Sequence, residues 1–177
     1  MRLTEAVVIL QHSRWDRLKS ILMSGLFFCQ APVMLERNFA QPAQISKPDP
    51  WDPSQVMMPA DLARLLAKQE GKRPLVVSVG FVFLYKGTHI PMSEFEGPGK
   101  EAKGIEALKT WAGGIKRNKE VVIYCGCCPM KECPNIRPAF LALRQMGLKR
   151  LKVLYLENNL AKDWVDNSFA TEKGSQK

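Results

Sequence analysis

The apolar positions of this chain change period several times between Pro59 and Val165, and each change marks an element. Leu62, Leu65 and Leu66 recur at helical spacing after Pro59, which suits a first helical position, and Asp61 adds a charge in the first turn before Gly71 stops the run. Leu75 to Val79 is then apolar apart from Ser78, as in a buried strand, and Phe81 to Tyr85 continues as an apolar stretch before Lys86 and Gly87. Lys100 to Lys116 puts Ile105, Leu108, Trp111 and Ile115 on one helical face. Val121 to Tyr124 is a short apolar, mostly β-branched run of the kind found in central parallel strands. After a loop, Phe140, Leu141 and Leu143 sit among helix formers, with Gly147 as a C-cap. Leu151 to Leu156 reads as a strand and Leu160 to Val165 as a short helix. Three alternations of helix and strand predict an α/β domain with a central parallel sheet, flanking helices and right-handed crossovers.

Residues on either side break these periods. Arg14, Arg17 and Lys19 precede a mostly apolar run from Ile21 to Leu35, which is too short to span a membrane comfortably. Residues 1–44 therefore form an N-terminal extension with the outline of a secretory signal; on that reading the mature domain is exported or periplasmic, and otherwise the protein is cytoplasmic. Cys29 within it is apolar filler. Residues 45–58 follow as a proline-rich linker carrying Pro48, Pro50 and Pro53, with Trp51 stapling it to the domain. The folded domain is expected over 59–169, and 170–177 is a polar tail expected to fray.

With 177 residues and 46% hydrophobic content, the chain suits one globular domain with a real core. Its net charge of +9 comes from 26 basic residues against 17 acidic ones. The small clusters Lys116, Arg117, Lys119 and Lys149, Arg150, Lys152 lack interleaved aromatics and match no nucleic-acid motif. They read as solvated faces that would favour anionic substrates, and no nucleic-acid partner is expected.

Chemistry concentrates after Tyr124. Cys125, Cys127, Cys128 and Cys133 fall within nine residues, between a strand's carboxyl end and a helix N-terminus, where open α/β sheets collect their ligands. A helix N-terminus favours a thiolate through its unpaired N–H groups and dipole. Gly126 follows Cys125 and lets loop amides curl toward its sulfur, Arg137 offers a positive charge for an anionic donor, and Pro129 and Pro134 stiffen the loop. Three chemistries fit. A nucleophilic Cys125 could carry sulfur as a persulfide, with Cys127, Cys128 or Cys133 accepting it. The same thiols could form a disulfide relay or redox sensor. Or all four could ligate zinc, copper(I) or an iron–sulfur cluster, Cys125 and Cys128 being spaced as C-x-x-C.

These residues resemble the rhodanese-like family. Its Asp-Val-Arg strand end followed by Gly-His-Ile-Pro-Gly-Ala is similar to the run from Val76 to Ser93, where His89, Ile90 and Pro91 match outright and Tyr85 takes an aromatic place. The strand ending in Cys125 resembles the one that delivers the family's catalytic cysteine, and Arg137 leads a helix as the family's loop arginine does. Gly147-Leu148, Val153-Leu154, Asn158-Asn159 and Trp164 follow in order, so the resemblance covers about Met57 to Val165. Departures lie at the site. Ser78 and Gly80 replace the aspartate and arginine, Met92 replaces a glycine, and the twelve-residue step from Cys125 to Arg137 is longer than in the family or in related phosphatases and arsenate reductases. The resemblance implies a single rhodanese-like domain and a sulfurtransferase moving sulfane sulfur from a donor such as thiosulfate to a thiol, with Cys125 and Arg137 catalytic. No cofactor is implied, the partners being a small sulfur donor and a thiol acceptor. His89 is expected to anchor the turn that precedes it.

Overall fold

The computed structural model describes residues 48–174 except Glu70 and Lys72, all within the unit Ile45–Lys177. The expected signal segment and Cys29 lie outside the described residues. Five strands form one all-parallel sheet: β1 (Val56–Met57), β2 (Leu75–Ser78), β3 (Ser93–Phe95), β4 (Glu120–Tyr124) and β5 (Arg150–Leu154), in spatial order β1-β5-β4-β2-β3. β4 is thus central, with Val77 opposite Ile123 and Val153 opposite Ile123 on its other side.

The period-two alternation of these strands divides the core. Val77, Val121, Ile123 and Val153 face α3 (Ala102–Gly113) and α4 (Ile136–Gln145), packing with Leu108, Ala112, Phe140 and Leu143. Val76, Val122 and Tyr124 face the opposite layer, where α1 (Pro59–Leu66) supplies Leu62 and Leu66, and a π-helical turn, Ala161–Val165, supplies Trp164. Because both faces are covered, β4 carries no polar alternation from Val121 to Tyr124. Gly147 ends α4 at φ +82°, where Gly147 N–H donates to Arg144 C=O and Leu148 N–H to Leu143 C=O, a Schellman cap. Trp164 is fully buried, whereas Trp111 is only partly so and donates its indole N–H to Glu94. Among the described residues no helix is long and apolar enough to cross a membrane.

Three segments depart from the sequence pattern. Phe81 to Tyr85 turns into a short helix, α2 (Val82–Gly87), with Tyr85 buried and Phe83 67% exposed; an apolar run this short does not distinguish helix from strand. Part of the expected linker belongs to the domain. Val56–Met57 pairs with β5, and Trp51 is buried edge-on against Phe140 at 5.4 Å. Prolines before a two-residue edge strand conceal it in the sequence, because an edge needs pairing on one side only. Nor does the tail fray as far as Gly174: His89 and Glu172 exchange two backbone hydrogen bonds of 2.9 Å, and Trp164 donates to the Ala170 carbonyl. Polar composition says nothing about such backbone pairing.

Candidate functional site

The site grows from the end of β4. Tyr124 C=O still accepts the N–H of Val79, and the next peptide runs so close to Gly80 that a Cβ there would stand 2.2 Å from the Cys125 carbonyl oxygen. That spacing leaves no room for any side chain at Gly80. Gly126 then reverses the chain at φ +79°, a conformation glycine adopts without penalty. The reversal brings Cys127 N–H onto the Cys125 sulfur, the curl expected of this glycine. Gly126 C=O and Met130 N–H tie the loop to Leu160 and Leu156, beyond β5.

From there the chain passes through a 3-10 turn, Met130–Glu132, and re-enters the protein at Cys133, whose backbone leads directly into α4. Loop closure gathers the thiols. Cys125 Sγ lies 3.1 Å from Cys127 Sγ, and Cys127 Sγ 2.9 Å from Cys128 Sγ. Cys125, Cys127 and Cys133 place their sulfurs within 4.8 Å of one another, close enough together to hold a soft metal ion. Cys128 does not join that mutual set. All four are free thiols. Cys125 and Cys133 are buried, while Cys127 and Cys128 are partly open.

The electrostatics of the pair are lopsided. Cys133 is held well below the usual thiol range, at about 6, because Cys125 donates a hydrogen bond to its sulfur and the backbone N–H groups of Asn135 and Ile136 point at it. Cys125 is correspondingly pushed up, first by the proton it gives Cys133 and then by burial. So the helix N-terminus expected to stabilise a Cys125 thiolate serves Cys133 instead. Burial likewise pushes the Cys128 thiol up.

Asn135 completes the cluster, and nothing in the spacing of the cysteines revealed it. Its side chain is fully buried, donates from Nδ2 to Cys125 Sγ at 3.2 Å, and accepts the Lys100 N–H at Oδ1. The available signal was a polar residue just before the helix that follows the cysteines.

Arg137 makes no hydrogen bond to a cysteine sulfur. Its guanidinium donates to the carbonyls of Met130, Lys131 and Cys133, pairs with Asp49 at 2.6 Å and lies over the Trp51 ring. His89 also stays out of the site. It stacks on Tyr85 at 4.0 Å and donates from Nδ1 to the Tyr85 carbonyl, anchoring the turn as expected.

Cys125 and Cys127 open onto a cleft of about 510 Å³ between α2 and the Ala161–Val165 turn, walled by Leu84, Tyr85, Leu160 and Val165. None of its lining side chains is charged.

A parallel sheet with both faces covered and a thiol loop at the carboxyl end of its central strand defines the class: an α/β domain with its chemistry at strand ends. No family model matches the chain, and no curated protein matches it by sequence. Solved structures do match in fold. The BH2092 protein of Bacillus halodurans superposes with a TM-score of 0.53 at 24% identity, over 68% of this chain and 77% of that one. The Alr3790 protein of Anabaena sp. gives 0.52 at 15% identity, over 67% and 92%. A domain of that Anabaena protein, solved in solution and described as rhodanese-like, gives 0.49 at 19% identity, over 67% and 79%. The chain shares its α/β fold with the BH2092 and Alr3790 structures and carries a cysteine-rich loop at the end of its central strand.

Proposed function

We propose that this protein is a sulfurtransferase that carries sulfane sulfur as a persulfide on Cys125. One juxtaposition supports the reading: Cys125 faces a cleft, with a proton acceptor, Cys133, on its buried side and a second thiol, Cys127, 3.1 Å away on its open side. In the first half-reaction Cys125 attacks the outer sulfur of a donor R–S–SH while the proton it shares with Cys133 shifts onto the Cys133 sulfur. The new S–S bond forms on Cys125, the donor's S–S bond breaks, and RS⁻ leaves with the proton that Cys133 held. In the second, an acceptor thiolate attacks that outer sulfur and the electron pair returns to Cys125.

Cys127 is the nearest internal acceptor. Attack on the outer sulfur moves the persulfide to Cys127; attack on the inner sulfur expels HS⁻ and closes a Cys125–Cys127 disulfide, which is the redox alternative. Asn135 stabilises negative charge on Cys125 as it develops. Arg137 is a positioning residue that holds the loop.

A second reading is favoured by the mutual approach of Cys125, Cys127 and Cys133, which suits zinc or copper(I). Intact mass of the reduced full chain, before and after a sulfane donor, separates the two. The transferase reading expects one added sulfur, abolished by Cys125→Ser and kept in Cys127→Ser. Full uptake by Cys125→Ser would overturn it, and a metal retained under native conditions and released by each serine variant would replace it with coordination.

A further inference from the structure

We infer that the sulfur donor this site accepts carries its sulfur on an uncharged apolar organic group and is not a small inorganic anion such as thiosulfate. The inference rests on the reading of Cys125 as a sulfur carrier and adds the substrate class.

Charge is the first argument. A dianion needs a fixed counter-charge or a ring of unpaired donors when it leaves water, and the cleft offers no charged side chain. Of the loop's two cations, Arg137 is held by Asp49 and three carbonyls beside Trp51, and Lys131 is exposed and does not line the cleft. Lys86 is exposed on α2 but does not line the cleft. Lys162, beside the cleft-lining Ala161, is paired with Asp166. The backbone N–H groups of Asn135 and Ile136 at the start of α4 point at the Cys133 sulfur, so they are not free to bind an incoming anion.

The basic clusters do not compensate. Lys116, Arg117 and Lys119 precede β4, and Lys149 and Arg150 stand at the start of β5, where Arg150 pairs with Glu120. In a parallel sheet that is the amino edge, roughly 16 Å of strand from Cys125 at about 3.3 Å per residue. Both clusters therefore stand at the opposite end of the strands from the cysteines.

Size and surface supply the second argument. A cleft of about 510 Å³ falls within the usual range for organic ligands and far exceeds what a tetrahedral anion fills. Its rim carries Phe83, Leu84 and Val165, respectively 67%, 37% and 40% exposed. Solvent-facing apolar side chains gathered at the mouth of an apolar cleft fit a hydrocarbon or aromatic substituent on the donor sulfur.

The test uses the reduced full chain with four probes: the donors benzyl hydropersulfide and thiosulfate, and the unreactive analogues benzyl methyl sulfide and sulfate. With rates normalised to each donor's reaction with a simple free thiol, benzyl hydropersulfide should load Cys125 at least about tenfold faster than thiosulfate. Ala161→Arg, at an exposed lining position, should raise thiosulfate loading and lower that of the benzyl donor. Equal or faster loading by thiosulfate in the unmodified protein would overturn the inference. Protection of Cys127 from alkylation provides a readout independent of turnover. Benzyl methyl sulfide should protect and sulfate should not; the reverse would overturn the inference. Protection by the analogue with no loading from either donor would support the apolar site and count against sulfur transfer itself.

Discussion

The two ends of the cysteine loop are built for opposite purposes. At the strand end, Cys125, Gly126 and Cys127 face an uncharged cleft, with a glycine reversing the chain and one backbone amide on the Cys125 sulfur. At the helix end, Cys133 is 1% exposed, two amides of α4 stabilise its thiolate, and Arg137 fastens the surrounding carbonyls. Access lies at one end and charge at the other. A single exposed thiolate would have both, but here the proton shared by Cys125 and Cys133 connects them. The length of the loop makes the division physically possible, since one cysteine cannot both end a strand and start the following helix when twelve positions separate Cys125 from Arg137.

The comparison breaks most completely if Cys133 loses its charge. Cys133→Ser removes the proton acceptor, and sulfur uptake by Cys125 at pH 7 should fall by about a hundredfold or more, the usual effect of deleting a general base. The pH dependence follows from the direction of the shift. A thiol lowered from 9.0 to about 6 in the folded state is ionised there while the unfolded chain still holds its proton, so stability rises with pH between 6 and 9. That contribution is lost as pH falls through 6. Above 9 the raised Cys125 acts the other way, because the unfolded chain gives up a proton that the folded one retains. Urea melts under reducing conditions at several values from pH 5.5 to 8.5 should show the rise in the unmodified protein and a flatter profile in Cys133→Ser. An unchanged slope would place the thiolate elsewhere.

Asn135 sharpens the comparison because it touches both ends. It leads the helix that holds Cys133 while its Nδ2 reaches Cys125. Replacing it with alanine deletes a donor to developing negative charge, worth about 1.5–3 kcal/mol, or roughly ten- to hundredfold in sulfur uptake. It also leaves the Lys100 N–H without its acceptor. Asn135→Asp tests sign against shape: it keeps the acceptor for Lys100 but sets a carboxylate beside Cys125, and uptake should drop further than in the alanine variant. Recovery of activity in the aspartate variant would contradict a role in stabilising charge.

Much of this framework was legible in the residues. The continuous apolar run of β4, the helical spacing in α3 and α4 and the cysteine cluster at a strand end follow from periods of two and 3.6 and from where parallel sheets place their loops. Less legible was whatever depends on backbone pairing or on a neighbour distant in sequence. β1 and the Glu172 bridge to His89 are held by main-chain hydrogen bonds, to which side-chain patterns are blind. The direction of Arg137 was hidden for another reason. Asp49 and Trp51, which hold it, lie 88 and 86 positions earlier in a proline-rich stretch that carries no periodic signal.

Arg137 therefore makes the subtlest prediction, and it separates a brace from a binder. A guanidinium that bound the donor would show its loss chiefly in KM, whereas one that fastens the loop would show it in stability. Here the donors go to three carbonyls of the Met130–Cys133 turn and to Asp49, and none goes to a cysteine sulfur. Arg137→Ala should lower stability by about 1.5–3 kcal/mol, most of it from hydrogen bonds to a charged donor, since the partly exposed Asp49 pair adds little. Sulfur uptake at saturating donor should fall by less than about threefold once the folded fraction is accounted for, with KM nearly unchanged. Asp49→Asn gives the graded control: it keeps an oxygen acceptor for the guanidinium and should cost no more than about 1 kcal/mol. A large rise in KM for Arg137→Ala, with melting unaltered, would mean that the side chain swings toward the cleft when donor is bound.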